Sequence, residues 1–338
     1  MCVTEHEITT PRRLCDAQGK LLPTSIGYAR HPLIEGNVSG HFLRKKQWNY
    51  WCVFGQEALF SATISHLDYA SVCFIYTLDY QTKEFFEQTV VVPFDRKLKM
   101  PSAVHATIEA IHPQLGIFFN ALPNQMEIHA SSPQFNGQPL RADVSIHYPS
   151  QLETLQVVIP WTNNKFQYTA KHHCLPVEGK LVLGEREYTF SKETDFAVLD
   201  YGRGIWPRSS TWNWGMASGK QGDDIIGLNF GGQWTDGTGG TENAVWLNGH
   251  MTKISESVTF TFDPTNRMKP WTIHSSSCSV QLTFTPFFER VAATSVVVVR
   301  SEVHQMVGHY HGKITLPTGE VLYIHHLLGT IEDHDATW

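Results

Sequence analysis

Short runs of alternating or wholly apolar residues dominate the chain. Residues 71–78 (SVCFIYTL), 88–92 (QTVVV), 154–159 (TLQVVI) and 280–285 (VQLTFT) are rich in β-branched and aromatic side chains. Such side chains fit a pleated, half-buried backbone, so each run predicts a strand. Turn pairs punctuate the runs at Asn136-Gly137, Glu178-Gly179, Asp236-Gly237, Asn248-Gly249 and Thr318-Gly319. The last is a hairpin signal, with GKITL and VLYIHHLL flanking Pro317-Thr318-Gly319. Helical spacing is scarce. Few short helices are expected, and residues 102–112 (SAVHATIEAIH), set between Pro101 and Pro113, are the best candidate. Evenly spaced short strands over this length predict an all-β, mainly antiparallel architecture of sandwiches or barrels. Polar turn residues with Pro and Gly over 161–180 predict a boundary there, dividing 1–170 from 171–338 with one β-barrel-sized domain on each side.

Composition narrows the function. The chain has 338 residues, 41% hydrophobic and 17% charged, which supplies a core and excludes disorder as the main state. A formal net charge of −6 gives no basic field for nucleic acid. The N-terminus lacks the basic start and apolar stretch of a secretory signal. The longest apolar run, Val296 to Val299 with its neighbours, is far short of the roughly 20 residues of a spanning helix. The six cysteines are scattered without a CxxC pair, so reduced thiols and a cytoplasmic location are expected.

Candidate chemistry is dense in the second half. Five of the ten tryptophans (Trp206, Trp212, Trp214, Trp234, Trp246) fall in one short stretch. Asp200 ends a strand pattern, and Arg203 and Arg208 follow among Trp206, Trp212 and Trp214. An arginine among aromatics and carboxylates builds a binding wall or an internal brace, and the residues leave both readings open. Trp212 and Trp214 share a strand face by alternation. The run GGQWTDGTGG lacks the phosphate-loop pattern and a following helix, so no nucleotide is expected there and no cofactor elsewhere. After it, Glu242, Ala244, Trp246, Asn248 and His250 are expected on one strand face, with Asn243 on the other. A carboxylate beside an indole there lines a polar-aromatic cavity. His309 and His311 stand at i, i+2 without a third ligand at tight spacing, and His172-His173-Cys174 is equally ambiguous, so no metal site is assigned. The basic trio Arg44-Lys45-Lys46 beside Trp48, Tyr50 and Trp51 reads as a solvated strand end rather than a lipid patch.

IGYARHPL, RKKQWNYW, FQYTAKHHCLPVEGK, LDYGRGIWPRSSTWNWG, IGLNFGGQWTDGTGGTEN and GTIEDHDATW together resemble the DUF2804 family over almost the whole chain. That family is similar in layout to the two-barrel lipocalin-like proteins that include AttH and carotenoid 1,2-hydratases. The resemblance implies two lipocalin-like β-barrels with a ligand cavity. Hydratase chemistry would need a neutral carboxyl to protonate an alkene, with indole faces steadying the carbocation. Asp200 or Glu242 suits the acid, whereas Arg203 and Arg208 would oppose it by lowering a nearby carboxyl pKa.

Three readings follow. The leading one is a binder of a hydrophobic or amphipathic small molecule, lipid- or isoprenoid-like, held by Arg203, Trp206, Arg208, Trp212, Trp214, Asn243 and Trp246. The second is an acid-catalysed lyase or isomerase on such a ligand, using Asp200 and Glu242. The third is carbohydrate binding or cleavage by paired carboxylates. The residues leave the oligomeric state undetermined.

Overall fold

The computed structural model describes residues 5–296 and 299–337, so the apolar run at 296–299 lies partly outside the described residues. The chain folds as two compact units. One comprises Ile8–Ile205, and the other Trp206–Trp338 together with the N-terminal residues through Glu7. The expected boundary at 170/171 falls within one continuous strand, and the division comes after Ile205.

The strands of the first unit are β1 (Arg12–Arg13), β2 (Gly27–Ala29), β3 (Ile34–Glu35), β4 (Lys45–Phe54), β5 (Ala58–His66), β6 (Ala70–Asp79), β7 (Phe85–Pro93), β8 (Ile108–His112), β9 (Leu115–Leu122), β10 (Gln125–Phe135), β11 (Gln138–His147), β12 (Leu155–Thr162), β13 (Lys165–Leu183), β14 (Arg186–Phe190) and β15 (Phe196–Ile205). The main sheet runs β7-β6-β5-β4-β15-β13-β11-β10-β9-β8. The 19-residue β13 serves two halves of it, pairing first with β12 and β15 and then with β11 and β14. The halves meet at a register break between His172 and Leu175, where Cys174 has φ 57°. A bulge of this kind bends a strand and increases its twist. The sheet therefore curls, and Ser132 on β10 donates to Gln88 on β7 at 2.5 Å across the gap between its ends.

The predicted helix is absent. Residues 108–112 form β8, which pairs with β9 through a turn at Pro113-Gln114. Ile108 and Ile111 favour the extended state, and the proline read as a helix stop occupies the turn. The Glu178-Gly179 pair is not a turn either, since it lies within β13. There Gly179 has φ 134°, and a Cβ would stand 2.2 Å from the Asp143 carbonyl. Asn136-Gly137 and Asn248-Gly249 do form tight hairpin turns, each with positive φ at both residues. Lys46 of the basic trio is buried rather than solvated, with its ammonium 4.4 Å from the Tyr69 ring centroid.

In the second unit, β16 (Ser209–Gln221), β17 (Asp224–Gly232), β18 (Ala244–Leu247), β19 (His250–Lys253), β20 (Val258–Thr261), β21 (Trp271–Ser275), β22 (Val280–Val296), β23 (Val299–Thr315) and β24 (Val321–Thr337) form a nine-stranded sheet. Its order is β19-β18-β17-β16-β24-β23-β22-β21-β20. Phe230, Val245, Trp271, Phe284, Met306 and Ile331 fill its concave side with packed apolar side chains. Phe262 stacks on Trp271 with centroids 3.8 Å apart. Both units are thus antiparallel barrel-like or half-barrel sheets, in agreement with the all-β expectation. No helix among the described residues is long and apolar enough to cross a membrane.

Candidate functional site

The sequence-predicted residues fall into two groups, one in each unit, and each group is described within its own. In the first unit, alternation along β15 sends Asp200 and Arg203 to opposite faces of the strand. Arg203 points into the core and is fully buried. Its Nε donates to the Pro101 carbonyl, Nη1 to the Trp48 and Gly202 carbonyls, and Nη2 to Asn49 Oδ1 and the Pro101 carbonyl. The guanidinium also lies 3.9 Å from the Tyr201 ring centroid. Every N–H of Arg203 is committed to the protein, which makes it an internal brace with no donor left for a ligand.

Asp200 faces the other side. Lys171 Nζ stands 2.8 Å from its Oδ1, Thr169 Oγ1 donates to the same oxygen at 3.1 Å, and Trp48 Nε1 donates to Oδ2 at 2.9 Å. Both members of the ion pair are largely buried. These three donors take up both oxygens of the carboxyl group. Gly202 is required beside it, because a Cβ there would lie 2.2 Å from the Trp48 indole. Register places Lys171, Asp200 and Tyr50 in one row, and the Tyr50 and Tyr76 hydroxyls meet at 2.7 Å.

In the second unit, Trp214 pairs in register with Gly231, whereas the neighbouring Gly215 pairs with Phe230 of the core. Trp212 and Trp214 therefore share the face opposite the apolar filling. Trp206 lies 5.4 Å from Trp212 and 5.7 Å from Trp234 between ring centroids, which forms an indole cluster distinct from the apolar filling, with Trp206 and Trp234 buried and Trp212 half-buried. Carboxylates fix two of these rings. Trp234 Nε1 donates to Glu242 Oε1 at 2.6 Å, and Trp212 Nε1 to Glu332 Oε1 at 3.0 Å. His334 lies against Trp212 with centroids 3.9 Å apart, and burial, then the charge of Arg290, pushes its pKa down to about 3.

Glu242 is buried beneath this cluster. Gly231 makes room for it, since a Cβ there would stand 2.1 Å from Glu242 Oε1. The expected long strand face is not formed. β18 has only four residues, so Glu242 precedes it and His250 begins β19 beyond the Asn248-Gly249 turn. Asn243 is a latch, with its Oδ1 accepting from Gly231 N at 2.8 Å and its Nδ2 donating to the Glu256 carbonyl at 2.9 Å. Trp214 Nε1 donates to Asn229 Oδ1, and Asn229 Nδ2 to the Glu242 carbonyl. Trp246 is fully buried and Arg208 is exposed. Nearby, Glu5 and Lys253 form a buried ion pair at 2.5 Å, and Glu5 also accepts from Thr241 N.

Sequence reasoning missed Lys171, Glu332 and His334 as neighbours of this chemistry. Glu332 and His334 alternate in the C-terminal GTIEDHDATW just as Trp212 and Trp214 alternate on β16, but only the register shows that each faces one of those tryptophans. Among the described residues, no three His, Cys, Asp or Glu side chains are placed to hold one metal ion. His309 instead stacks on His326 at 3.7 Å. A groove of about 490 Å³ lies in the first unit, and none of the candidate catalytic or ligand-binding residues lines it.

The DUF2804 family, described as a domain of unknown function, matches residues 5–338. No curated protein matches the chain. Among solved structures, kievitone hydratase from Nectria haematococca is similar at 9% identity and a TM-score of 0.54, covering 97% of this chain and 98% of that one. CghA crystallised with Sch210972 is similar at 9% identity and a TM-score of 0.54, covering 87% and 88%. A protein assigned as AttH from Nitrosomonas europaea is similar at 9% identity and a TM-score of 0.52, covering 88% and 94%. These likenesses show a shared two-barrel lipocalin-like fold.

Proposed function

The chain belongs to the DUF2804 family, a domain of unknown function, and from its geometry we propose that it binds a hydrophobic or amphipathic small molecule, lipid- or isoprenoid-like. One observation carries this reading. Trp206, Trp212 and Trp234 cluster on the face of the second unit that its apolar core does not use, and Glu332 and Glu242 lock two of the rings by their N–H groups. Trp212, half-buried beside the buried Trp206 and Trp234, presents a rigid aromatic face in fixed orientation, which suits an apolar ligand at little entropic cost. CghA, a fold neighbour, was crystallised with the small molecule Sch210972.

A lyase or isomerase acting on such a ligand is the second reading. It is supported by the fold likeness to kievitone hydratase, a hydratase by name, and by the buried position of Glu242 among indoles. In this reading Glu242 is the proton donor, held within the second unit by the Trp234 indole. Carbohydrate cleavage has no comparable support, because Lys171, Thr169 and Trp48 already occupy the oxygens of Asp200.

The test is quenching of tryptophan fluorescence by farnesol and by retinol. Trp212→Ala should weaken binding by roughly tenfold or more, the scale of a lost aromatic contact. Failure of both probes to bind the intact chain would refute the binder. Glu242→Gln separates the two readings, since binding retained with turnover lost favours the enzyme.

A further inference from the structure

The 490 Å³ groove of the first unit is lined by Arg12 and Arg13 of β1, Ile34 and Glu35 of β3, and Val104 and His105. Its volume lies within the roughly 300–1,000 Å³ typical of small-molecule sites. Ile34 and Val104 are buried apolar residues, while both arginines are exposed. Among the described residues the Arg12 side chain makes one hydrogen bond, from Nη1 to the Pro11 carbonyl at 3.3 Å, which leaves most of its guanidinium donors available. Arg13 stands 3.6 Å from Glu35, and Glu35 is drawn back by a hydrogen bond from Ser102 Oγ. The groove thus combines an apolar floor with one committed and one uncommitted guanidinium at its rim.

The wall at His105 is fastened from behind. His105 Nε2 bonds to the Leu122 carbonyl at 2.8 Å and so carries the proton, because a carbonyl only accepts. The His105 ring meets Tyr148 edge-on at 5.1 Å, and the Tyr148 hydroxyl contacts His172 Nδ1 at 3.0 Å. Burial pushes the Tyr148 pKa far up, so its phenol keeps the proton and donates it. Burial, then the neighbouring His105 and His173, pushes His172 down to about 3, leaving a neutral acceptor. The two exposed guanidinium groups stand at the rim of this fixed wall.

We infer that this groove binds a small amphipathic anion, with its apolar body on Ile34 and Val104 and its carboxylate or phosphate head on Arg12 and Arg13. The site is separate from the indole cluster and stands whether or not that cluster binds a ligand. Guanidinium pairs recognise planar or tetrahedral oxyanions through paired N–H donors, and salt weakens such exposed contacts.

Isothermal titration calorimetry with decanoate, decyl phosphate and the neutral decanol tests it. At least one of the two anions should bind the intact chain with one groove event, and their ratio reports the preferred head group. The Arg12→Ala/Arg13→Ala double variant should lose that event at least tenfold, and decanol should bind at least tenfold more weakly than the better anion. Leu33→Asp, which places a carboxylate in the lining, should abolish anion binding, while circular dichroism confirms that each variant is folded. Trp212→Ala should leave the groove event unchanged. Anion binding that survives in the arginine variant but is lost in Trp212→Ala would overturn the groove and leave the indole site standing. Absence of any anion binding at millimolar concentration would also overturn it.

Discussion

Arg203 is where a brace and a ligand contact make opposite predictions. Its five N–H donors are spent on three backbone carbonyls and the Asn49 side chain, all inside a core that excludes water. Arg203→Met keeps the side-chain volume but strips these acceptors of their partner. At about 1 kcal/mol for each lost acceptor pairing the loss is roughly 4 kcal/mol, and release from burying a cation returns part of it, leaving about 3 kcal/mol. Arg203→Lys restores up to three donors and should recover about half of that loss. Urea-dependent hydrogen exchange on peptides from β13 and β15 reads the first unit locally. Arg203→Met should lower protection there by about two orders of magnitude, following 1.4 kcal/mol per tenfold. Arg208→Met, at an exposed position, should stay within about 0.5 kcal/mol of the parent. If Arg203→Met is equally neutral, or if it abolishes ligand binding without loss of protection, the brace assignment is wrong.

Both units should lose stability on acidification. His334 and His172 are each pushed from 6.5 to about 3, so the unfolded chain takes up protons first and stability falls as the pH drops from 6.5 towards 3. Gln replacements should flatten that fall in denaturant titrations run at successive pH values. Glu256 titrates in a lower window. Burial raises its pKa, but hydrogen bonds from Ser277 and Ser276 outweigh this and bring it from 4.5 to about 2. Its contribution is present above pH 4.5 and lost on the way to 2, so Glu256→Gln should lower stability at neutral pH and weaken the acid dependence in that window. Gly202→Ala would drive a methyl into Trp48 and break its bond to Asp200, visible as a changed fluorescence maximum; an unaltered spectrum would show that the packing yields. Trp234→Phe removes the donor to Glu242 and should cost about 1–3 kcal/mol in thermal unfolding, the scale for a buried acceptor left without its partner. A neutral result would mean that the contact is not formed in solution.

The strands were legible because local chemistry and burial agree. The run at 280–285 lies in β22, and that at 88–92 in β7, since β-branched residues there both favour extension and have a sheet to join. Residues 102–112 misled for the opposite reason. Their spacing and flanking prolines resemble a helix, but the partner β9 that makes β8 favourable comes only after the turn. Within the site, the tryptophan pair on β16 could be placed on one face by alternation alone. Which face it was could not, because that depends on Phe230 across the register filling the other side. The roles of Arg203 and Asn243 were hidden for the same reason, as their partners Pro101 and Glu256 are fixed by the fold rather than by spacing.

A common device joins the two clusters. In each unit a carboxylate outside the core is fastened by an indole N–H, with Trp48 on Asp200 in the first and Trp234 on Glu242 and Trp212 on Glu332 in the second. An indole offers one donor on a broad apolar plate, so a single residue satisfies part of a buried carboxylate and also supplies aromatic surface beside it. A serine would satisfy the oxygen without the surface, and a phenylalanine would give the surface but leave the oxygen bare. An apolar wall that must also hold oriented carboxylates therefore calls for tryptophan in particular. That requirement accounts physically for Trp212 and Trp234, whereas Trp214 spends its donor on the Asn229 amide, and the barrel core of the second unit, filled mainly by aliphatic and phenylalanine side chains, places no such demand.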